Sequence, residues 1–254
     1  MNKTLITIAL LIMIYPVSIY AQTIPKTMNI YEKNGTLTKI PLDRIEKITF
    51  DGPQIGYNDN VVRDGDGNIY QTVKIGHQVW LASNLRTTKY NDGTPIQNIT
   101  VGADWIKART GAYSWYMNNS DNKEVYGALY NWYAVAEDKI CPKGFHVPRK
   151  EEWSALILYA GSGDAGAKLK STGNDFWKNN KYESNNSTGF TALPGGVRQQ
   201  NGAFHFEGTY SRWWTAEKGN DDSGEGVNIY NDSNLVPIMG SRKIEGSYVR
   251  CIRD

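Results

Sequence analysis

CPKGFHVPRKEEWSAL, residues 141–156, is the stretch on which the reading of this 254-residue chain turns. Within it and just beyond, Trp153, Leu156, Ile157 and Ala160 recur at i, i+3, i+4 and i+7, the single apolar stripe of a helix packed on a core. Pro148 suits the first turn, Glu151 and Glu152 favour the positive end of the helix dipole, and Gly161 is placed to end the helix. The stretch opens on Cys141, one of two cysteines; the other is Cys251. In an oxidising compartment two such residues most simply pair. The closed loop would hold about 110 residues, for which the chain-entropy model gives roughly 4–5 kcal/mol. Two free buried thiols, or one catalytic cysteine, are the alternatives.

Working outward, the remaining pattern is mostly strands and turns. After Asp164, residues 165–170 suit a short second helix, and beyond Gly173 only short strands and loops rich in Asn, Gly and Ser are expected. Upstream, Ile69–Ile75 alternates with period two, Gly76-His77 turns the chain, and Gln78–Leu81 is the expected partner strand. Asp64-Gly65-Asp66-Gly67-Asn68 and residues 91–95 read as further turns. DGPQIGYNDN at 51–60 is a linker by composition. Before it, TMNIYEKNGTLTKIPLDRIEKITF at 27–50 sets two alternating runs around Asn34-Gly35, the strongest short hairpin signal. There Pro41 ends the second strand, Asp43 is placed to cap one helical turn, and residues 47–50 read as a third strand.

The N-terminus has the three parts of a secretory signal: Lys3, an apolar run from Leu5 to Val17, and a small residue, Ala21, after which cleavage is expected. That run is shorter than the ~20 residues that span a bilayer core. No cysteine follows it to carry a lipid, and no later segment reads as a membrane span. The expectation is a soluble, monomeric, exported protein, lodged outside the cell, on its surface or in the periplasm. Roughly 230 mature residues suffice for one sizeable core. Net charge is +2, with the charges scattered, which argues against nucleic-acid binding. With 8 Trp and 16 Tyr against 6 Phe, the aromatic composition favours half-buried positions and binding surfaces.

Several segments together carry a resemblance. They are DGDGNIYQTVKIGHQVWLASNLRTTKYNDGTPI at 64–96, YGALYNWYAV at 126–135, and the opening stretch at 141–156. GFTALPGGVRQQNGAFHFEG at 189–208, WWTAE at 213–217 and SYVRCIRD at 247–254 complete the set. In this order they resemble the Fibrobacter succinogenes major paralogous domain, a family of secreted bacterial domains, from about Val61 to the last residue. The resemblance implies an α+β, β-rich fold like that of C-type lectins and the formylglycine-generating enzyme: an antiparallel β core with one or two short helices and long loops. It further implies that a final strand at Tyr248–Ile252 lies beside Ile69–Ile75, and that Cys251 ties that strand to the segment before the helix. Members often carry Ser or Thr where this chain has Arg149, so the helix is expected to lack a side-chain cap, at a cost of about 1 kcal/mol. Residues 27–50 resemble a short segment that follows the signal peptide in secreted proteins of Bacteroidetes-type bacteria.

Catalytic patterns are thin. His77, His146 and His205 stand far apart in sequence, and His146 suits a structural hydrogen bond better than catalysis. Formylglycine chemistry needs a spare pair of thiols, and here both are expected in one bridge. A glycosidase needs two carboxylates at roughly 5–9.5 Å, a spacing that sequence does not test. Asp64, Asp66 and Asn68 alternate like the first ligands of an EF-hand, but Ile69 and Ile75 stand where Gly and Glu are required. Tyr230-Asn231-Asp232 resembles the Trp-Asn-Asp calcium motif of C-type lectins, without its partner motif. Calcium is thus a weak candidate cofactor, and no other cofactor is indicated.

The ligand candidates are Trp115, Tyr116, Trp177, Trp213 and Trp214, whose rings lie in loop-rich stretches and suit stacking on a sugar or a partner side chain. A strand would point Trp213 and Trp214 to opposite faces, so at most one should meet solvent. Core packing under long loops is the competing reading. The resulting expectation is a signal peptide (1–21), a hairpin segment (22–50), a linker (51–60) and the domain (61–254). Its expected function is non-catalytic recognition of carbohydrate or a surface protein. A polysaccharide hydrolase and a subunit of a surface assembly are the alternatives.

Overall fold

A computed structural model describes residues 27–31, 36–44 and 61–254. The chain divides into two compact units, Met1–Ile55 and Gly56–Asp254. In the first, Thr27–Tyr31 pairs antiparallel with Leu37–Pro41, in a register that sets Thr27 opposite Pro41 and Tyr31 opposite Leu37. A 3-10 turn, Leu42–Arg44, follows the proline that ends the second strand. The expected signal peptide, Asn34-Gly35 turn, third strand at 47–50 and linker at 51–60 lie outside the described residues.

The second unit is α+β and β-rich. One five-stranded antiparallel sheet runs in the order Val61–Arg63, Ile69–Ile75, Gln78–Leu81, Ile252–Arg253, Phe145–His146. The other runs Phe204–Glu207, Gly195–Arg198, Tyr210–Lys218, Ser223–Tyr230, Ile238–Arg242. A small third sheet joins Gln97–Asn98, Ala112–Ser114 and Leu129–Tyr130. The strands beyond Gly173 are not all short: Tyr210–Lys218 and Ser223–Tyr230 have nine and eight residues.

The last strand does not lie beside Ile69–Ile75. Gly76, at φ +62°, closes so tight a turn that Ile69–Ile75 must pair with Gln78–Leu81 on one side. Val61–Arg63 takes its other edge, and the final strand adds to the free edge of Gln78–Leu81, with Ile252 opposite Trp80. Cys141 and Cys251 are bridged, with Cα atoms 5.9 Å apart, tying this strand to the segment before the main helix.

That helix spans Lys150–Ala160 and buries Trp153, Leu156 and Ala160, with Ile157 partly covered. Gly161 ends it at φ +85°. Arg149 supplies no side-chain acceptor, yet the helix start is capped. Glu152 reaches back to the Arg149 N–H at 2.7 Å, and Glu217, from the neighbouring long strand, accepts the Lys150 N–H at 2.8 Å. Two carboxylates thus replace the missing hydroxyl, one of them from a residue 67 positions away.

Sheet residues alternate between two apolar clusters. Trp80 and Trp213 join one, with Trp153 and Phe190; Leu81 and Trp214 join the other, with Tyr70, Tyr130 and the disulfide. Trp153 stands 4.8 Å from Trp80 and 5.5 Å from Phe190 between ring centroids.

Candidate functional site

All five aromatic candidates are buried. Trp213 and Trp214 do point to opposite faces, but both faces are covered, and each side chain is 0% exposed. Their indole N–H groups donate to Asn84 Oδ1 at 2.7 Å and to the Tyr130 carbonyl at 2.8 Å. Trp177 donates to the Ala192 carbonyl, while Trp115 packs on Tyr113 and Tyr116 on Phe204. With every ring engaged below the surface, none of the five offers a stacking face to a ligand. The reading of these residues as ligand contacts is corrected to core.

What fills the interior under the loops is unusual in another respect: buried cations without carboxylate partners among the described residues. Arg198 donates to the carbonyls of Gly202, Ile99 and Thr100, and stacks between Trp105 and Phe204 at 4.3 and 4.8 Å. Arg250 serves Asn84 and the Phe190 carbonyl. Lys170 sends its ammonium to Asn180 Oδ1 at 2.8 Å and to the Tyr230 carbonyl at 3.3 Å, beside the Trp177 ring. Burial lowers the pKa of all three, to about 10, 9 and 8 respectively. A loop that runs inside a fold strands carbonyl acceptors, and a many-donor cation collects several of them at once.

The calcium candidates are explained by the same kind of internal accounting. Asp64 accepts from the Asp66 N–H, the Asn68 N–H, the Asn68 amide and, at 2.6 Å, the Tyr70 hydroxyl, which uses its four lone-pair directions. Asp66 accepts from the Thr88 N–H and pairs with Lys89 at 3.4 Å. Asn231 donates to the Lys178 carbonyl, and Asp232 is exposed at a turn. Here the cation among the backbone oxygens of residues 230–233 is the Lys170 ammonium.

A cleft of about 560 Å³ opens where the helix start meets the last strand, lined by Trp132, Val147, Arg149 and the trio His146, Glu152 and Asp254. His146 Nδ1 lies 2.7 Å from Asp254 Oδ1, and Nε2 lies 3.0 Å from both Glu152 oxygens. Both partners only accept, so both ring nitrogens donate. Burial opposes the charge, but the two hydrogen-bonded carboxylates outweigh it and raise the pKa. An imidazolium held on both sides has no nitrogen free to take a substrate proton, so His146 acts as a clamp.

On the other sheet a row of rings reaches the surface. Tyr230 stacks on Tyr210 at 4.8 Å; Phe206 meets Tyr210 edge-on at 5.9 Å; His205 lies 5.7 Å from Phe206. Phe206 is 50% exposed and has φ +72°. For a bulky residue that backbone costs on the order of 1–3 kcal/mol. It also breaks strand alternation: Phe204 packs against the core, and two residues later Phe206 does not.

The family model of the Fibrobacter succinogenes major domain matches residues 73–253. The chain belongs to this family. No curated protein and no solved structure matches it. The matched span of the Fibrobacter succinogenes major domain contains the clamp residues His146 and Glu152, the three buried cations and the whole ring row, and it begins after the Asp64–Asn68 turn. Sequence reasoning missed both the ring row and the buried cations. The signal for the first was the placement of His205-Phe206 next to Glu207-Gly208, an exposed-looking hairpin end with two consecutive rings.

Proposed function

We propose that this protein is an exported, non-catalytic recognition module that binds carbohydrate. The observation that carries this reading is the pinning of long loops by Lys170, Arg198 and Arg250. Their charges are spent on carbonyls and ring faces, which fixes loop shape in advance of binding and lowers the entropy lost on association. His146, the ionisable ring of the cleft at the helix start, is committed on both nitrogens, which supports binding over proton transfer. The Cys141–Cys251 bridge supports an oxidising destination, as does the leader-like N-terminus. Among the described residues no helix is long and apolar enough to cross a membrane. A glycan array probed with residues 22–254, with and without calcium, tests the reading. Saturable binding to a defined set of glycans is expected; an array with no bound glycan would sink it and leave a surface protein as the ligand class.

A further inference from the structure

The sheet that carries Trp213 and Trp214 ends on the strand Ile238–Arg242, whose inner edge pairs with Ser223–Tyr230 in a register that sets Met239 opposite Gly226 and Gly240 opposite Glu225. At the two ends of this ladder the Asn228 N–H donates to the Pro237 carbonyl at 3.0 Å, and the Lys243 N–H to the Asp222 carbonyl at 2.9 Å. Hydrogen-bonded pairs alternate along an antiparallel ladder. Pro237, Met239, Ser241 and Lys243 therefore face inward, while Ile238, Gly240 and Arg242 turn their N–H and C=O groups to the open edge. The Glu225 carbonyl obeys the same alternation, since it turns away from Gly240 and takes the Thr215 hydroxyl at 3.2 Å. The Arg242 carbonyl is spent on the Glu245 N–H at 2.9 Å. Among the described residues no partner meets the four outward groups of Ile238 and Gly240.

Edge strands are ordinarily guarded by proline, by charge or by a covering loop. Here Pro237 turns its missing donor to the inner side, and Arg242, the one charge of the strand, stands at its far end. Between them Met239 is 53% exposed beside Gly226, a neighbour with no side chain to cover it. A Cβ placed on Gly240 would approach nothing closer than Ser223 at 4.0 Å. The open groups are complementary to themselves. An antiparallel second copy of the strand, related by a two-fold axis at Met239, sets Ile238 of each copy opposite Gly240 of the other. Those two pairs make four hydrogen bonds and use every outward group of both residues. The two Met239 residues then face each other as a non-hydrogen-bonded pair, with Cα atoms about 4.5 Å apart and apolar side chains in contact. The two Arg242 residues fall six positions apart along the strands, roughly 20 Å and beyond the screening length of ~10 Å, so like charge does not oppose the pairing. We propose that a second copy of this chain pairs at this edge and joins the two five-stranded sheets into one. The proposal departs from the monomer expected from sequence and is independent of the carbohydrate reading. The contact is small, of the class that forms and dissociates with concentration.

Sedimentation equilibrium of the intact protein over a concentration series tests the proposal. The average mass should climb from monomer toward dimer with concentration, in the parent and in Leu158→Lys, a change at another exposed apolar residue. Met239→Lys sets two ammonium groups against each other across the axis and should weaken association at least tenfold. Its melting temperature should hold, because the side chain it replaces is half-exposed. Under mild oxidation Met239→Cys should trap a covalent dimer, since the expected Cα separation suits a disulfide and the native cysteines are already bridged to each other. Arg242→Cys, with its copies far apart, should not. A parent that stays monomeric at every concentration would overturn the proposal. A dimer that Met239→Lys leaves intact, or that Met239→Cys links no better than Arg242→Cys, would overturn it too, by placing the contact on another surface.

Discussion

The guanidinium carbon of Arg250 lies 4.3 Å from the ring centroid of Phe190, and the carbonyl of that same residue accepts from the guanidinium. Arg250 is 1% exposed and also grips Asn84 Oδ1, which takes the Trp213 indole N–H as well. One planar cation therefore joins the segment leading into the last strand, the loop before Leu85 and the loop at Phe190.

Arg250→Lys keeps the charge and loses the fork. A single ammonium does not serve Asn84 and the Phe190 carbonyl together in that geometry, so a buried acceptor is left without a partner. The expected loss is roughly 1–3 kcal/mol, read from urea unfolding midpoints. A variant as stable as the parent would show that the fork is not what holds these loops.

Lys170 sets a pH dependence of unusual sign. Its pKa falls from the ordinary lysine value to about 8 on folding, chiefly through burial, so between about pH 8 and 10.5 the unfolded chain binds more protons. Stability from this group therefore rises with pH across that window, and is least below pH 8, where both states are charged. Urea midpoints at pH 7.5, 8.5 and 9.5 should show that rise in the parent, and Lys170→Met should reduce its slope, most clearly between pH 7.5 and 8.5.

His146 has the opposite sign. Its folded pKa is raised by Asp254 and Glu152 over the opposing effect of burial, so its contribution is complete below about pH 6.5 and is lost as pH rises through the folded value. His146→Gln should lower stability at pH 5.5 and converge with the parent at high pH. An NMR titration that places the His146 midpoint below that of a free imidazole would contradict the clamp.

Reduction of Cys141–Cys251 should destabilise the domain by up to about 4–5 kcal/mol, since the closed loop spans 110 residues. Denaturation with and without reductant, and in Cys141→Ser/Cys251→Ser, measures it.

How much of this was legible depended on how local each determinant is. The helix at Lys150–Ala160 was readable because Trp153, Leu156, Ile157 and Ala160 encode it within eleven residues. The strands Ile69–Ile75 and Gln78–Leu81 were readable for the same reason, since their turn lies between them. The partner of the last strand was not, because its pairing depends on which sheet edge is left after Gly76 turns. Half of the helix cap was illegible because Glu217 arrives from a distant strand; the other half, Glu152 reaching back three residues to Arg149, is local and was overlooked. Trp213 and Trp214 were assigned opposite faces correctly, but alternation does not say that a second core waits on the far side. The exposure of Phe206 was only partly legible: His205-Phe206 next to Glu207-Gly208 marks a hairpin end, but nothing in a phenylalanine announces a left-handed backbone.

The central claim is that the domain holds carbohydrate without converting it. The most direct measurement incubates the purified protein with polysaccharides and reads, in the same samples, co-sedimentation of protein with insoluble glycan and release of new reducing ends. The account predicts saturable co-sedimentation, with reducing ends no higher than in protein-free controls. Time-dependent release of reducing ends that scales with protein concentration would contradict it.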